Sequence, residues 1–97
     1  MKILHLITMT VDFHDAAIPT FVSRCTEIDG APYVLAKDIG LYYDLKADED
    51  GDYRSFLARA GIPYIDREVS HKGETIGSHA LLTEAASKLM RAVPKNG

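Results

Sequence analysis

The chain has one cysteine, Cys25, no tryptophan and no excess of positive charge in its 97 residues. A single thiol excludes an internal disulfide and any zinc site built from several cysteines. The expected setting is therefore reducing, the cytoplasm of a bacterial host cell, with Cys25 a half-buried strand residue. No stretch approaches the roughly 20 apolar residues of a membrane span, and the opening "ILHLITM" is interrupted by His5 and Thr8, too short for a secretory signal. No membrane partner is expected. No glycine-rich loop opens a helix, so a phosphate cradle is missing. Neither a Cys-His pairing nor a nucleophile-elbow pattern can be read from residue order, so no catalytic residue is assigned and the chain is not expected to be an enzyme. "DFHD" brings Asp12, His14 and Asp15 close together, but His5, His71 and His79 are scattered without ligand spacing, and neither a metal nor another cofactor is expected.

What is present is 46% hydrophobic and 26% charged content, which suits one small domain over residues 1–97 with a single core. The net charge of −3 argues against a protein that grips a phosphate backbone with its whole surface. Its distribution is uneven: residues 1–53 carry four basic and ten acidic side chains, residues 54–97 seven basic and four acidic. Such asymmetry can mark one face for an anionic partner and another for a basic one, or reflect chance clustering on solvated faces.

Apolar and β-branched residues predict a strand over Lys2–Met9. "TFVSRCTEI" resumes with period two, and Asp29-Gly30 suits a tight turn with two positive φ angles, so Phe21–Ile28 is expected to pair with Ala31–Leu35. Leu35, Ile39, Tyr42 and Tyr43 recur at helical intervals, in a helix that Gly40 weakens. The acidic "KADEDGD" reads as a capping region for a second helix carrying Tyr53, Phe56, Leu57 and Ala60 on one face and stopped by Gly61 and Pro63. "PYIDREV", the turn "SHKGE" and a short "TIG" strand form another hairpin. Ser78 is expected to cap a last helix, "HALLTEAASKLMRAV". The order is β-ββ-α-α-ββ-α, an α+β fold of small antiparallel hairpins with about three helices on one side.

The run "EIDGAPYVLAKDIGLYYDL", residues 27–45, resembles the amino-terminal module of phage antirepressors (Bro-N and its relatives), in which a DG-x-P-aromatic hairpin leads into "AKD" and a helix. Leu81, Leu82, Thr83 and Glu84 stand where such modules carry an "LLTE"-like helix start. Residues 53–85 are similar to the second half of excisionase-type winged helices: a helix ending in glycine, then "IP", a strand, a glycine-containing turn and another strand. The resemblances cover about two thirds of the chain with short motifs of common residues. They imply a winged-helix-like arrangement and a phage or prophage regulatory module that binds DNA or a regulatory protein. The "KxxR"-like basic helix of that family is replaced here by the acidic "KADEDGDYR".

Two surfaces follow as candidates. Arg54 and Arg59 on the second helix, with Arg67, His71 and Lys72 on the next hairpin, would form a nucleic-acid-binding face if the hairpin projects as a wing. Two or three phosphate contacts give only weak binding, about 10⁻⁴ to 10⁻⁶ M, so useful affinity needs a homodimer or a second site. Asp66 and Glu68 beside Arg67 favour a plain solvated wing. Alternatively, Asp44, Asp48, Glu49, Asp50 and Asp52 would present an acidic surface to a basic protein, as an inhibitor of a host protein complex would. Tyr42, Tyr43 and Tyr53 are then candidate interface anchors, or core residues of their helices.

Overall fold

The computed structural model describes residues 2–46 and 51–92. Five strands, β1 (Leu4–Val11), β2 (Phe21–Ile28), β3 (Ala31–Leu35), β4 (Ile65–His71) and β5 (Glu74–Leu82), close into a barrel in the order β1-β2-β3-β5-β4. Three helices, α1 (Ala36–Tyr42), α2 (Arg54–Ala60) and α3 (Glu84–Ala92), complete the fold. The element types and their order follow the hydrophobic periodicities, but the winged-helix-like arrangement is overturned. Closure is made by β1 running parallel to β4 at Leu4, His5 and Leu6, opposite Val69, Ser70 and His71. A parallel pairing between segments more than 60 residues apart leaves no local mark on either one. The β4–β5 hairpin is consequently wall of the barrel, not a wing beside a helix.

The β2–β3 hairpin has the expected register, Cys25 opposite Val34 through Ile28 opposite Ala31. Asp29 and Gly30 both take positive φ, 52° and 82°, the type I′ geometry that matches strand twist. A second two-residue turn of the same kind, Lys72-Gly73, joins β4 to β5 with φ of 53° and 81°.

Alternation sorts the side chains into two apolar layers. Leu6, Leu35, Val69 and Leu81 fill the barrel interior. The other face of β2, β3 and β5, with Phe21, Cys25, Val34, Ala80 and Leu82, is buried beneath Ile39, Tyr53, Leu57, Ala86 and Met90 from the helical side. Cys25 is a free thiol, buried rather than half-exposed.

The last helix is displaced from its expected start. Strand β5 continues through Ser78–Leu82, and the helix begins after Thr83, whose Oγ1 accepts the Ala86 amide at 3.2 Å. "HALL" is compatible with either period. It becomes strand because Ala80 and Leu81 pair with Asp66 and Ile65 of β4 and the site is buried on both faces.

Candidate functional site

The five basic candidates do not share one surface role. Arg54, at the start of α2, is held between two carboxylates: its Nε lies 2.6 Å from Asp52 Oδ2 and its Nη1 2.9 Å from Asp66 Oδ2. Hydrogen bonds to Asp66 and then Asp52 hold its pKa above the ordinary arginine value. Arg67 follows Asp66 on β4, so its Cβ points to the opposite sheet face; its guanidinium Nη1 bonds the Asp66 carbonyl at 3.2 Å. His71 ends β4 with its Nε2 hydrogen-bonded to Thr8 Oγ1 at 2.8 Å. Lys72 occupies the hairpin tip, and Arg59 the last turn of α2, both exposed.

Of the acidic candidates, Asp48, Glu49 and Asp50 lie outside the described residues. Asp44 is exposed, in a left-handed turn with φ of 60°. Asp52 is 1% exposed; its Oδ1 accepts the Arg54 amide at 3.2 Å while its Oδ2 faces Arg54 Nε. It belongs to an internal ion pair, not to a presented acidic face.

"DFHD" serves turn geometry. Asp12 Oδ1 accepts the His14 amide at 2.8 Å, and Asp15 Oδ1 accepts the Ala17 amide at 2.9 Å. Both are side-chain turns typical of aspartate. No group of three or more metal-ligating side chains occurs among the described residues.

The structure brings together a site whose parts are far apart in sequence. The loop of Ala17, Ile18 and Pro19, the end of α1 at Tyr42, Tyr43 and Leu45, and Arg91 of α3 wall a cleft of about 490 Å³. Its shape starts from the end of α1. The Leu45 amide bonds the Gly40 carbonyl at 2.9 Å and the Asp44 amide the Leu41 carbonyl at 3.0 Å, a Schellman closure with Asp44 as the left-handed residue. That reversal turns Leu45 back into the core. On the opposite wall the Ile18 amide bonds the Asp15 carbonyl at 2.9 Å, which buries the Ile18 side chain.

Tyr42 links the two walls: its hydroxyl donates to the Pro19 carbonyl at 3.2 Å, and its ring stacks on Phe21 with centroids 4.7 Å apart. Tyr43 is 8% exposed and its hydroxyl has no hydrogen-bond partner among the described residues. Burial pushes its pKa up against the pull of Arg91, with Tyr42 and Asp15 adding to the rise, so the phenol stays protonated at neutral pH. Arg91 is exposed and makes no ion pair among the described residues. A mixed lining, with the edges of Ile18, Pro19 and Leu45 beside two phenols and a guanidinium, can hold a small group bearing a hydrogen-bond acceptor. In sequence, Tyr42-Tyr43 was the visible part of this site; Arg91 gave no signal, because only the fold sets it opposite α1.

His5 Nδ1 and Ser70 Oγ meet at 2.5 Å across the β1–β4 seam, a serine-histidine contact that residue order did not reveal. Ser70 is buried, and the pair is part of the closing seam. No helix of the described residues is long and apolar enough to cross a membrane. Compared with protein-family models, with curated proteins and with solved structures, the chain matches none.

Proposed function

We propose that the chain is a non-enzymatic regulatory module of the phage or prophage type that its antirepressor resemblance implies, and that it acts by binding a protein, as regulator or as inhibitor of a host complex. The cleft between α1 and α3 carries this reading. Tyrosine and arginine are among the residues most enriched as energetic anchors of protein interfaces, and a concave site of mixed polar and apolar lining is where a partner side chain becomes desolvated while its polar end is met. Tyr42, Tyr43 and Arg91 supply that composition in one cleft of about 490 Å³. On α1, Leu41 and Tyr42 remain 61% and 40% exposed, which is apolar area available to a partner.

Nucleic acid is the weaker target because the basic set is divided. Arg54 spends its charge on Asp52 and Asp66, leaving Arg59, Arg67 and Lys72 as the outward cations, too few for more than weak phosphate binding.

The test is nuclease-treated capture from host lysate with the full chain as bait, comparing wild type, Tyr42→Ala with Arg91→Glu, and Arg59→Glu with Lys72→Glu. The expected result is a nuclease-resistant partner lost only with the cleft variant. Retardation of mixed-sequence duplex at low salt that the Arg59→Glu/Lys72→Glu variant abolishes, with no retained protein, would transfer the function to DNA binding.

A further inference from the structure

Strand β1 is only partly enclosed by the barrel. Its parallel neighbour β4 accompanies it at Leu4, His5 and Leu6 alone. Strand β4 then ends at His71, before the Lys72-Gly73 turn, and the Thr8–His71 hydrogen bond of 2.8 Å lies where the pairing of the two strands stops. From Ile7 to Val11, β1 is paired with β2 on one side, and among the described residues no strand lies on the other. In an antiparallel pair every second residue directs its N–H and C=O away from the neighbour, so among the described residues this edge carries ladder groups with no strand partner.

Natural proteins blunt such an edge with charge, proline or a bulge. The segment Ile7-Thr8-Met9-Thr10-Val11 has none of these and is mostly β-branched. Ile7 and Met9 are 67% and 53% exposed. They sit on the same sheet face as Cys25 and Ser23, a face that the helices cover over β2 and β3 but leave bare over β1.

We propose that this edge is a homodimer interface, in which Ile7–Val11 of two copies pair antiparallel about a two-fold axis at Met9. The segment is complementary to itself. With the axis at Met9, Ile7 of one copy stands opposite Val11 of the other and Met9 opposite Met9, while Thr8 meets Thr10 on the other face. Apolar groups face apolar groups, hydroxyls face hydroxyls, and no charge meets a like charge. The register is bounded by the fold: sliding two residues one way drives the second strand into β4 beside Leu6, and two residues the other way leaves Ile7 unpaired. Met9 and Val11 also wall an apolar groove of about 210 Å³ with Phe13, Cys25 and Val34, so the contact extends from the ladder onto the bare sheet face. This interface is independent of the α1–α3 cleft.

Sedimentation velocity on the full chain, across the micromolar to millimolar range, tests it. Wild type should double in mass with concentration. Met9→Lys, which sets like charges opposite each other on the axis, should remain monomeric with an unchanged circular dichroism spectrum. Met9→Cys should oxidise to a covalent dimer, because directly opposed Cα atoms lie about 4.5–5.5 Å apart, within the span of a disulfide. Val22→Cys, at a position 65% exposed on β2, should not, since about three strand spacings, roughly 14 Å, would separate the two thiols. A wild-type monomer at every concentration overturns the proposal, as does a dimer that Met9→Lys leaves intact or one in which Val22→Cys cross-links as readily as Met9→Cys.

Discussion

The ring of Tyr53 lies against the bare Cα of Gly40: a Cβ added there would stand 2.5 Å from Tyr53 Cζ and 2.8 Å from its Cδ2. Tyr53 is fully buried and cannot retreat freely, because its hydroxyl donates to the Leu45 carbonyl at 2.8 Å. Gly40→Ala on an open helix would stabilise by about 0.5–1 kcal/mol through helix propensity. Here it should destabilise by about 1–3 kcal/mol from overpacking. Urea denaturation reads the sign directly.

Arg54 gives a second prediction, on stability rather than on nucleic-acid affinity. Arg54→Ala would leave the buried Asp52 carboxylate, 1% exposed, without its counter-charge. Removing one member of a fully buried pair costs about 3–5 kcal/mol; with Asp52 buried but the Arg54 side chain 34% exposed, the expected loss is about 1–3 kcal/mol. Asp52→Asn with Arg54→Met should cost less than Arg54→Ala alone, a double substitution that denaturant titration can check. Equal destabilisation would mean that the charge pair contributes little.

Asp38 on α1 receives both Nε and Nη2 of Arg24, at 3.0 and 2.8 Å, and the Arg24 amide at 2.8 Å. Burial raises the Asp38 pKa, but the hydrogen bonds and charge of Arg24 outweigh it, and the folded value lies below the usual carboxylate range. A folded pKa below the unfolded one gives stability that is complete above the unfolded value. It is lost as pH falls from about 5 through 4 and on to the folded pKa. Asp38→Asn should flatten that part of the acid denaturation profile and cost about 1–3 kcal/mol at neutral pH. A profile unchanged in slope would show that Asp38 does not govern it.

Local features were legible in the sequence where one residue type has one physical use. Asp29-Gly30 announces a turn because two positive φ angles are needed, and Phe56 and Leu57 announce a helix by spacing, although Tyr53, read on the same face, is the left-handed residue just before it and Ala60 is exposed. Closure of the barrel was not legible, since the Leu4–Leu6 pairing with Val69–His71 depends on two distant strands meeting. Arg54 shows a related effect: sequence counts it as a cation, whereas only the fold reveals that Asp52 and Asp66 surround it. Gly40 illustrates the same limit, read as a helix weakness and found to be clearance for a tyrosine ring.

The start of α3 separates these two kinds of information experimentally. Ser78 has the chemistry of an N-cap, but it lies in mid-strand opposite Glu68, exposed to solvent. Thr83 does the capping: its Oγ1 accepts the Ala86 amide, and its carbonyl accepts the Ser87 hydroxyl at 2.9 Å and the Ser87 amide at 2.9 Å. The backbone bonds survive replacement of the side chain, so Thr83→Ala removes only the cap and should cost about 1 kcal/mol. Ser78→Ala should fall within about 0.5 kcal/mol of wild type, as exposed positions away from such features do. Thermal melts of the two variants distinguish the alternatives. A larger loss at Ser78 than at Thr83 would place the helix start, and with it the β5 ladder to Leu82, at the wrong residue.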